Sequence, residues 1–201
     1  MNKSIDKKEN FKESDAEIVR DFQGGNKLAF DKLVIRHENR IFNLCYSFLK
    51  DYEESNDCAQ DIFIKAFRSL KNFKFKSAFS TWLYRVAVNT CKNRLRSSDF
   101  KHKKLLLRSD NPGKYENGYS HEFEDKTQSP MHDLEIKEKR MHIRKALDSL
   151  PSKLKTIIIL RDIQGFSYDE IAKITRLNQG TVKSRISRAR SGLRKKLRSV
   201  I

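Results

Sequence analysis

Apolar positions along the chain recur mainly three or four residues apart, the spacing of amphipathic helices. Ser14-x-x-Glu17 has the form of a capping box opening a short helix that stops at Gly24-Gly25. A long helix is predicted from about Lys27 to Lys50, with Leu33, Ile41, Leu44, Cys45 and Phe48 on its apolar side. The next spans about Glu54 to Leu70, its stripe formed by Ala59, Ile62, Phe63, Ala66, Phe67 and Leu70. Asp57, Gln60, Asp61 and Ile64 fall outside that stripe, which by periodicity alone makes them a solvated face. Ser80 is expected to cap a helix reaching about Arg96. At about 100° per residue, Arg85, Asn89, Lys92, Asn93 and Arg96 share one side of it with Trp82, opposite Leu83, Val86, Ala87 and Thr90. Two readings of Trp82 stand: a ring free to stack on a nucleic-acid base, or one folded over the helix end into the core.

The second half of the chain has the same helical grammar. A helix is predicted near Leu134 to Leu150, and another after Pro151, with Ile157, Ile158, Leu160 and Ile163 as core anchors and Gly165 as its end. Ser167-x-x-Glu170 is a second capping box, followed by Ile171, Ala172 and Ile174. A break at Thr175-Arg176-Leu177 leads to Asn178, a good N-cap for a final helix. Two helices split by a short turn, the second basic, form a helix-turn-helix pattern. Val182, Ile186, Ala189, Leu193 and Leu197 make the buried stripe of that last helix. Its N-terminal residues Thr181, Lys183, Ser184, Arg185, Ser187 and Arg188 are placed to reach base edges in a major groove. The expected fold class is all-α: two small helical domains joined by a flexible linker, the C-terminal one containing the helix-turn-helix.

Composition sharpens this picture. The 201 residues carry 43 basic and 26 acidic side chains, a net charge of +17, with 37% hydrophobic residues. A chain so charged is expected to build several small helical cores rather than one deep one. Residues 1–98 hold a surplus of six positive charges, residues 99–135 a deficit of two, and residues 136–201 a surplus of thirteen. The middle stretch, with Asn111-Pro112-Gly113, Asn117-Gly118 and Ser129-Pro130, reads as a linker. The resulting division is a polar tail over 1–14, a first module over 15–98, a linker over 99–133 and a second module over 134–201.

Several function classes are excluded. The longest aliphatic run, Ile157 to Leu160, is far too short to span a membrane, and the polar first ten residues contain no secretory h-region. No P-loop or dinucleotide glycine fingerprint occurs. Cys45, Cys58 and Cys91 form no C-x-x-C pair and no His lies at metal-ligand spacing to them, so they read as core thiols of a reducing cytosol. Neither enzyme activity, a small-molecule substrate, a cofactor nor a metal is expected, and the location is expected to be cytoplasmic.

Two stretches then become recognisable. Residues 57–67, DCAQDIFIKAF, followed by residues 79–93, FSTWLYRVAVNTCKN, resemble the N-terminal conserved domain of bacterial sigma factors. Leu150-Pro151, residues 160–172, LRDIQGFSYDEIA, and residues 180–190, GTVKSRISRAR, resemble their C-terminal domain. Small size and two domains only point to the extracytoplasmic-function group of the sigma-70 family. The resemblance implies a subunit without catalytic activity that directs core RNA polymerase to promoter DNA. It implies polymerase contacts at Asp57, Gln60, Asp61 and Ile64, turning their solvated face into an interface. It implies recognition and melting of the −10 element by Phe73, Phe79, Trp82, Arg85, Asn89, Lys92 and Asn93. Recognition of the −35 element falls to the start of the final helix. An inhibitory anti-sigma partner is common in the group. Primary sigma factors carry two adjacent tryptophans where this chain has Trp82-Leu83, and Arg176 stands where glycine is frequent in the turn. The competing reading is a stand-alone helix-turn-helix regulator that binds an operator without polymerase.

Overall fold

The computed structural model describes residues 13–97, Phe100 and residues 130–198. Among these, every regular element is helical: α1 (Asp15–Gln23), α2 (Ala29–Leu49), α3 (Tyr52–Leu70), α4 (Phe79–Arg96), α5 (Pro130–Asp148), α6 (Ser152–Ile158), α7 (Tyr168–Thr175) and α8 (Gln179–Leu197). Both capping boxes form: the Ser14 and Ser167 hydroxyls accept from the Glu17 and Glu170 amides, whose carboxylates return to the serine amides. Gly25, at φ +112°, takes the left-handed conformation that turns the chain after α1. The predicted linker and tail fall largely outside the described residues.

Helices α1 to α4 pack around Ile18, Leu33, Ile41, Leu44, Ile62, Leu70 and Leu83, all fully buried. Phe100 joins this core, extending the first module just beyond its expected boundary. In the second module Ile157, Leu160, Ile171, Val182 and Ile186 are buried together. The expectation of several small cores holds in part. Among the described residues one large apolar cluster runs from Ile18 through Leu83 to Ile186, because α4 packs against α7 as well as against α2 and α3, and a separate small one holds Leu147, Leu150, Ile158 and Ala189.

Four local expectations are corrected. Ser80 does not cap α4; the helix begins at Phe79 with Ala78 in the capping position and no side-chain acceptor. Phe67 is 39% exposed, its inner edge meeting the rings of Phe22 and Phe30 at 5.3 and 5.2 Å. Ile163 is 46% exposed while Ile159 is buried, because residues Ile159–Ile163 wind as a π-helical turn closed from the Gln164 amide to the Ile159 carbonyl. The wider turn rotates the following side chains relative to an α-helical continuation. Finally, α5 starts at Pro130, inside the predicted linker, where proline suits a first helical position.

Arg176, at φ 57°, closes α7 in the left-handed region where an L side chain costs about 1–2 kcal/mol. Glycine removes that cost but loses about 0.5–1 kcal/mol through its freer unfolded chain. Arg176→Gly is therefore expected to raise Tm by about 1–4 °C; a lower Tm in a thermal melt contradicts this.

Lys50 ends α2 at the module boundary, where burial first and then the charges of Arg144 and Lys155 lower its amine to about 8, against the opposing pull of Asp148. The folded chain sheds this proton more readily than the unfolded chain, whose lysine holds it up to about 10.5. Stability from this group is thus gained as pH rises from about 8 to 10.5. The difference in denaturant midpoint between the wild type and Lys50→Met should shift in favour of the wild type across that range; a constant difference contradicts the assignment.

Candidate nucleic-acid and polymerase interfaces

The outer side of α3 is polar because its inner side is committed to Ser55, Cys58, Ala59, Ile62 and Ala66. Asp57, Gln60 and Ile64 are exposed and Asp61 is half-buried. Sequence reasoning missed the residue that organises this acidic surface. Arg94 of α4 donates from Nε to the nearly buried Glu54 at 2.9 Å, and its terminal nitrogens lie 3.8 Å from Asp57 and 3.9 Å from Asp61. The Glu54 hydrogen bond, more than the nearby carboxylates alone, holds this guanidinium above its ordinary value. Its position, three residues beyond Cys91 on the flank of α4, gives no cue in a helical wheel to a partner on α3.

The loop from Lys71 to Ala78 and the start of α4 form an aromatic corner. Gln23 pins the loop by donating to the carbonyls of Leu70 at 3.0 Å and Phe73 at 2.9 Å. Phe73 and Phe79 are buried, so they carry Trp82 rather than offering faces of their own. The indole is half-buried, 5.4 Å from the Phe73 ring and 5.7 Å from Phe79. Trp82 thus combines both readings: its inner side is core and its outer side is accessible. The His37 ring lies 5.5 Å from that of Phe79 and bonds Asp15 at 2.9 Å, so the corner is braced from α1. Phe75, 39% exposed with Arg20 5.3 Å over its ring, adds an accessible aromatic surface that no periodic pattern could reveal in a loop.

Further along α4, Asn89 and Asn93 are exposed, whereas Arg85 and Lys92 are half-buried. Arg85 donates to the Lys173 carbonyl at 2.7 Å, satisfying one of the open acceptors in the last turn of α7. Burial, reinforced by Arg176, lowers the Arg85 guanidinium. Tyr84 meets Phe166 edge-on at 4.6 Å beside this contact. Burial, then Arg96 and Arg185, likewise lowers the Lys92 amine, which places two cations of α4 against those of the second module. Closure therefore covers part of the α4 polar face.

In the helix-turn-helix, the Asn178 side chain accepts from the Thr181 amide at 2.7 Å and starts α8. Val182, Ile186 and Ala189 are buried, turning Lys183, Ser184, Ser187 and Arg188 outward; Thr181 and Arg185 are half-buried. Arg190 is drawn aside by Asp162, to which it donates at 2.6 and 3.3 Å. The exposed cations near the start of α8 can reach phosphates and base edges, while the buried stripe fixes the angle at which the helix is presented.

A basic helix presented by a capped turn, an acidic helix face and an aromatic, cationic helix start define a two-module promoter-recognition subunit. The Sigma-70 region 2 family description matches residues 33–100, and that of Sigma-70 region 4 matches residues 140–193. The RNA polymerase sigma-H factor of Pseudomonas aeruginosa is 36% identical over 94% of this chain and 96% of its own. The ECF RNA polymerase sigma-E factor of Escherichia coli is 34% identical over 94% of this chain and 96% of its own. The chain belongs to the sigma-70 family of transcription initiation factors, in its extracytoplasmic-function group. Two solved structures share the fold. CnrH in complex with the cytosolic domain of CnrY gives a TM-score of 0.62 at 24% identity, covering 90% of this chain and 96% of its own. The sigma factor RpoE in complex with the anti-sigma factor NepR, from Bartonella quintana, gives 0.56 at 24% identity, covering 84% and 96%. Among the described residues, no helix is long and apolar enough to cross a membrane.

Replacing Arg85 by alanine leaves the Lys173 carbonyl without its partner. Amide hydrogen exchange in α7 should accelerate about tenfold, the equivalent of about 1.4 kcal/mol. Exchange at the wild-type rate contradicts the capping role.

Proposed function

We propose that this chain is a cytoplasmic, non-catalytic subunit that binds core RNA polymerase, directs it to specific promoters and assists strand opening. The observation that carries this reading is the presence of three separate polar surfaces on α3, α4 and α8. An operator-binding regulator uses the last and leaves the other two without a role. In this reading residues 15–98 dock on polymerase and engage the −10 element, and residues 134–201 engage the −35 element. Residues 1–13 are a tail and residues 101–129 a linker. Asp57, Gln60, Asp61 and Ile64 meet the polymerase. Trp82, Arg85, Asn89, Lys92 and Asn93 meet the −10 strand, with Phe73 and Phe79 as the bed beneath Trp82. Thr181, Lys183, Ser184, Arg185, Ser187 and Arg188 meet the −35 duplex. An inhibitory anti-sigma factor is a further partner.

Magnitudes explain the need for polymerase. Stacking a base on one indole contributes about 1–3 kcal/mol, and unstacking costs a few kcal/mol per step. Trp82 captures a base that has opened but does not sustain a bubble alone. Promoter elements two and a half helical turns apart are separated by roughly 85–90 Å. Only 29 residues, 101–129, lie between Phe100 of the first core and Pro130 of α5, and a flexible chain of that length has an r.m.s. span of only about 27–32 Å. Docking on polymerase must therefore supply the free energy that separates the modules, breaking the Arg85–Lys173 and Tyr84–Phe166 contacts.

The test is a pair of binding measurements. Substituting Gln60 and Asp61 by alanine should weaken binding to core polymerase at least severalfold while leaving duplex binding by the second module unchanged. With about five phosphate contacts, the logarithm of that duplex affinity should fall with the logarithm of salt at a slope near −4.5. Tight, promoter-specific duplex binding by the free full chain at physiological salt contradicts the proposal and favours the regulator.

A further inference from the structure

All three cysteines of the chain converge in the first module although they are separated by 13 and 33 residues. Cys45 comes from α2, Cys58 from α3 and Cys91 from α4. Cys91 Sγ lies 3.7 Å from Cys45 Sγ and 3.9 Å from Cys58 Sγ, and all three sulfurs fall within 4.8 Å of one another. Each residue is fully buried. Nothing in the promoter-recognition machinery uses them.

These separations have a chemical meaning. Three thiolates at about 2.3 Å from a common centre lie about 3.8–4.0 Å apart. Two edges of the observed triangle already match, and the third must contract by at most about 1 Å to accept such a centre. No fourth His, Cys, Asp or Glu donor joins the group among the described residues. Structural zinc is almost always held by four ligands, whereas soft thiolates select copper in its monovalent state. We propose that Cys45, Cys58 and Cys91 form a three-coordinate thiolate site for a soft monovalent ion, with Cu(I) as the type ligand.

The surroundings suit this charge. Lys65 donates to Thr90, the neighbour of Cys91, at 3.4 Å, and Arg94, on the helix of Cys91, pairs with Glu54 on that of Cys58. Two cations thus lie near the anionic complex that one monovalent ion and up to three thiolates produce. Each ligating thiol gives its proton to the buffer, and no oxidation is involved. Because the sulfurs are buried, loading requires a transient opening of α2, α3 and α4. A bound ion ties together the two helices that carry the α3 acidic face and the α4 aromatic face.

The full-length chain, reduced and anaerobic, is titrated with Cu(I) against a competing chelator, with Zn(II) in a parallel arm. Metal is then counted after desalting. The wild type should retain one Cu(I) per chain, with an all-sulfur shell of three ligands near 2.3 Å in X-ray absorption, and its Tm should rise on loading. Cys45→Ser, Cys58→Ser and Cys91→Ser should each lower Cu(I) affinity at least tenfold while keeping the helical circular dichroism spectrum. The absorption measurement needs no variant and decides the matter if a serine variant does not fold. No retained Cu(I), a shell containing nitrogen or oxygen, undiminished affinity in folded serine variants, or retention of Zn(II) in preference to Cu(I) overturns the site. These outcomes leave the promoter-recognition reading untouched.

Discussion

Helix α4 is packed on both sides, and its surface has to be shared. Leu83, Ala87 and Cys91 face α2 and α3, while Tyr84 and Arg85 face Phe166 and the end of α7. Arg94, from the same helix, organises Glu54, Asp57 and Asp61 on α3. One element therefore connects the acidic face of α3, the aromatic corner and the second module. Arg85 is half-buried against the Lys173 carbonyl, so in the proposed reading contact between the modules competes with strand engagement for this guanidinium.

This competition gives the net charge a physical role. Burial first, and then nearby cations of the second module (Arg185 at Lys92, Arg176 at Arg85, Arg144 and Lys155 at Lys50), hold these three groups below their ordinary values. Apolar contacts between Tyr84 and Phe166, with the buried Leu160 and Ile171, offset that repulsion. Polyanionic DNA relieves it. The modules are thus held together by an apolar cluster that reaches from α1 to α8, while their cationic surfaces repel one another.

Much of the fold was legible because helical periodicity and capping chemistry are local. Ser14-x-x-Glu17 and Ser167-x-x-Glu170 make the boxes their spacing predicts, and Asn178 caps α8. The failures share a cause. The π-helical turn at Ile159–Ile163 breaks the 3.6-residue period, so Ile163 is turned outward and Ile159 inward. The cysteines share no local spacing, and only the packing of three helices brings their sulfurs together. Arg94 and Gln23 act across 40 and 47 residues, beyond the reach of any helical wheel. Phe73 and Phe79, expected from the resemblance to recognise the −10 element, are buried beside Trp82, which no local pattern shows.

The distance between the modules is the most direct measure of this account. Donor and acceptor dyes on the exposed surfaces of α3 and α8 should report a short separation in the free chain. On a promoter-bound complex with core polymerase that initiates transcription, the separation should lengthen to many tens of ångströms. A complex that transcribes from the promoter while the two modules keep the separation of the free chain would contradict the account.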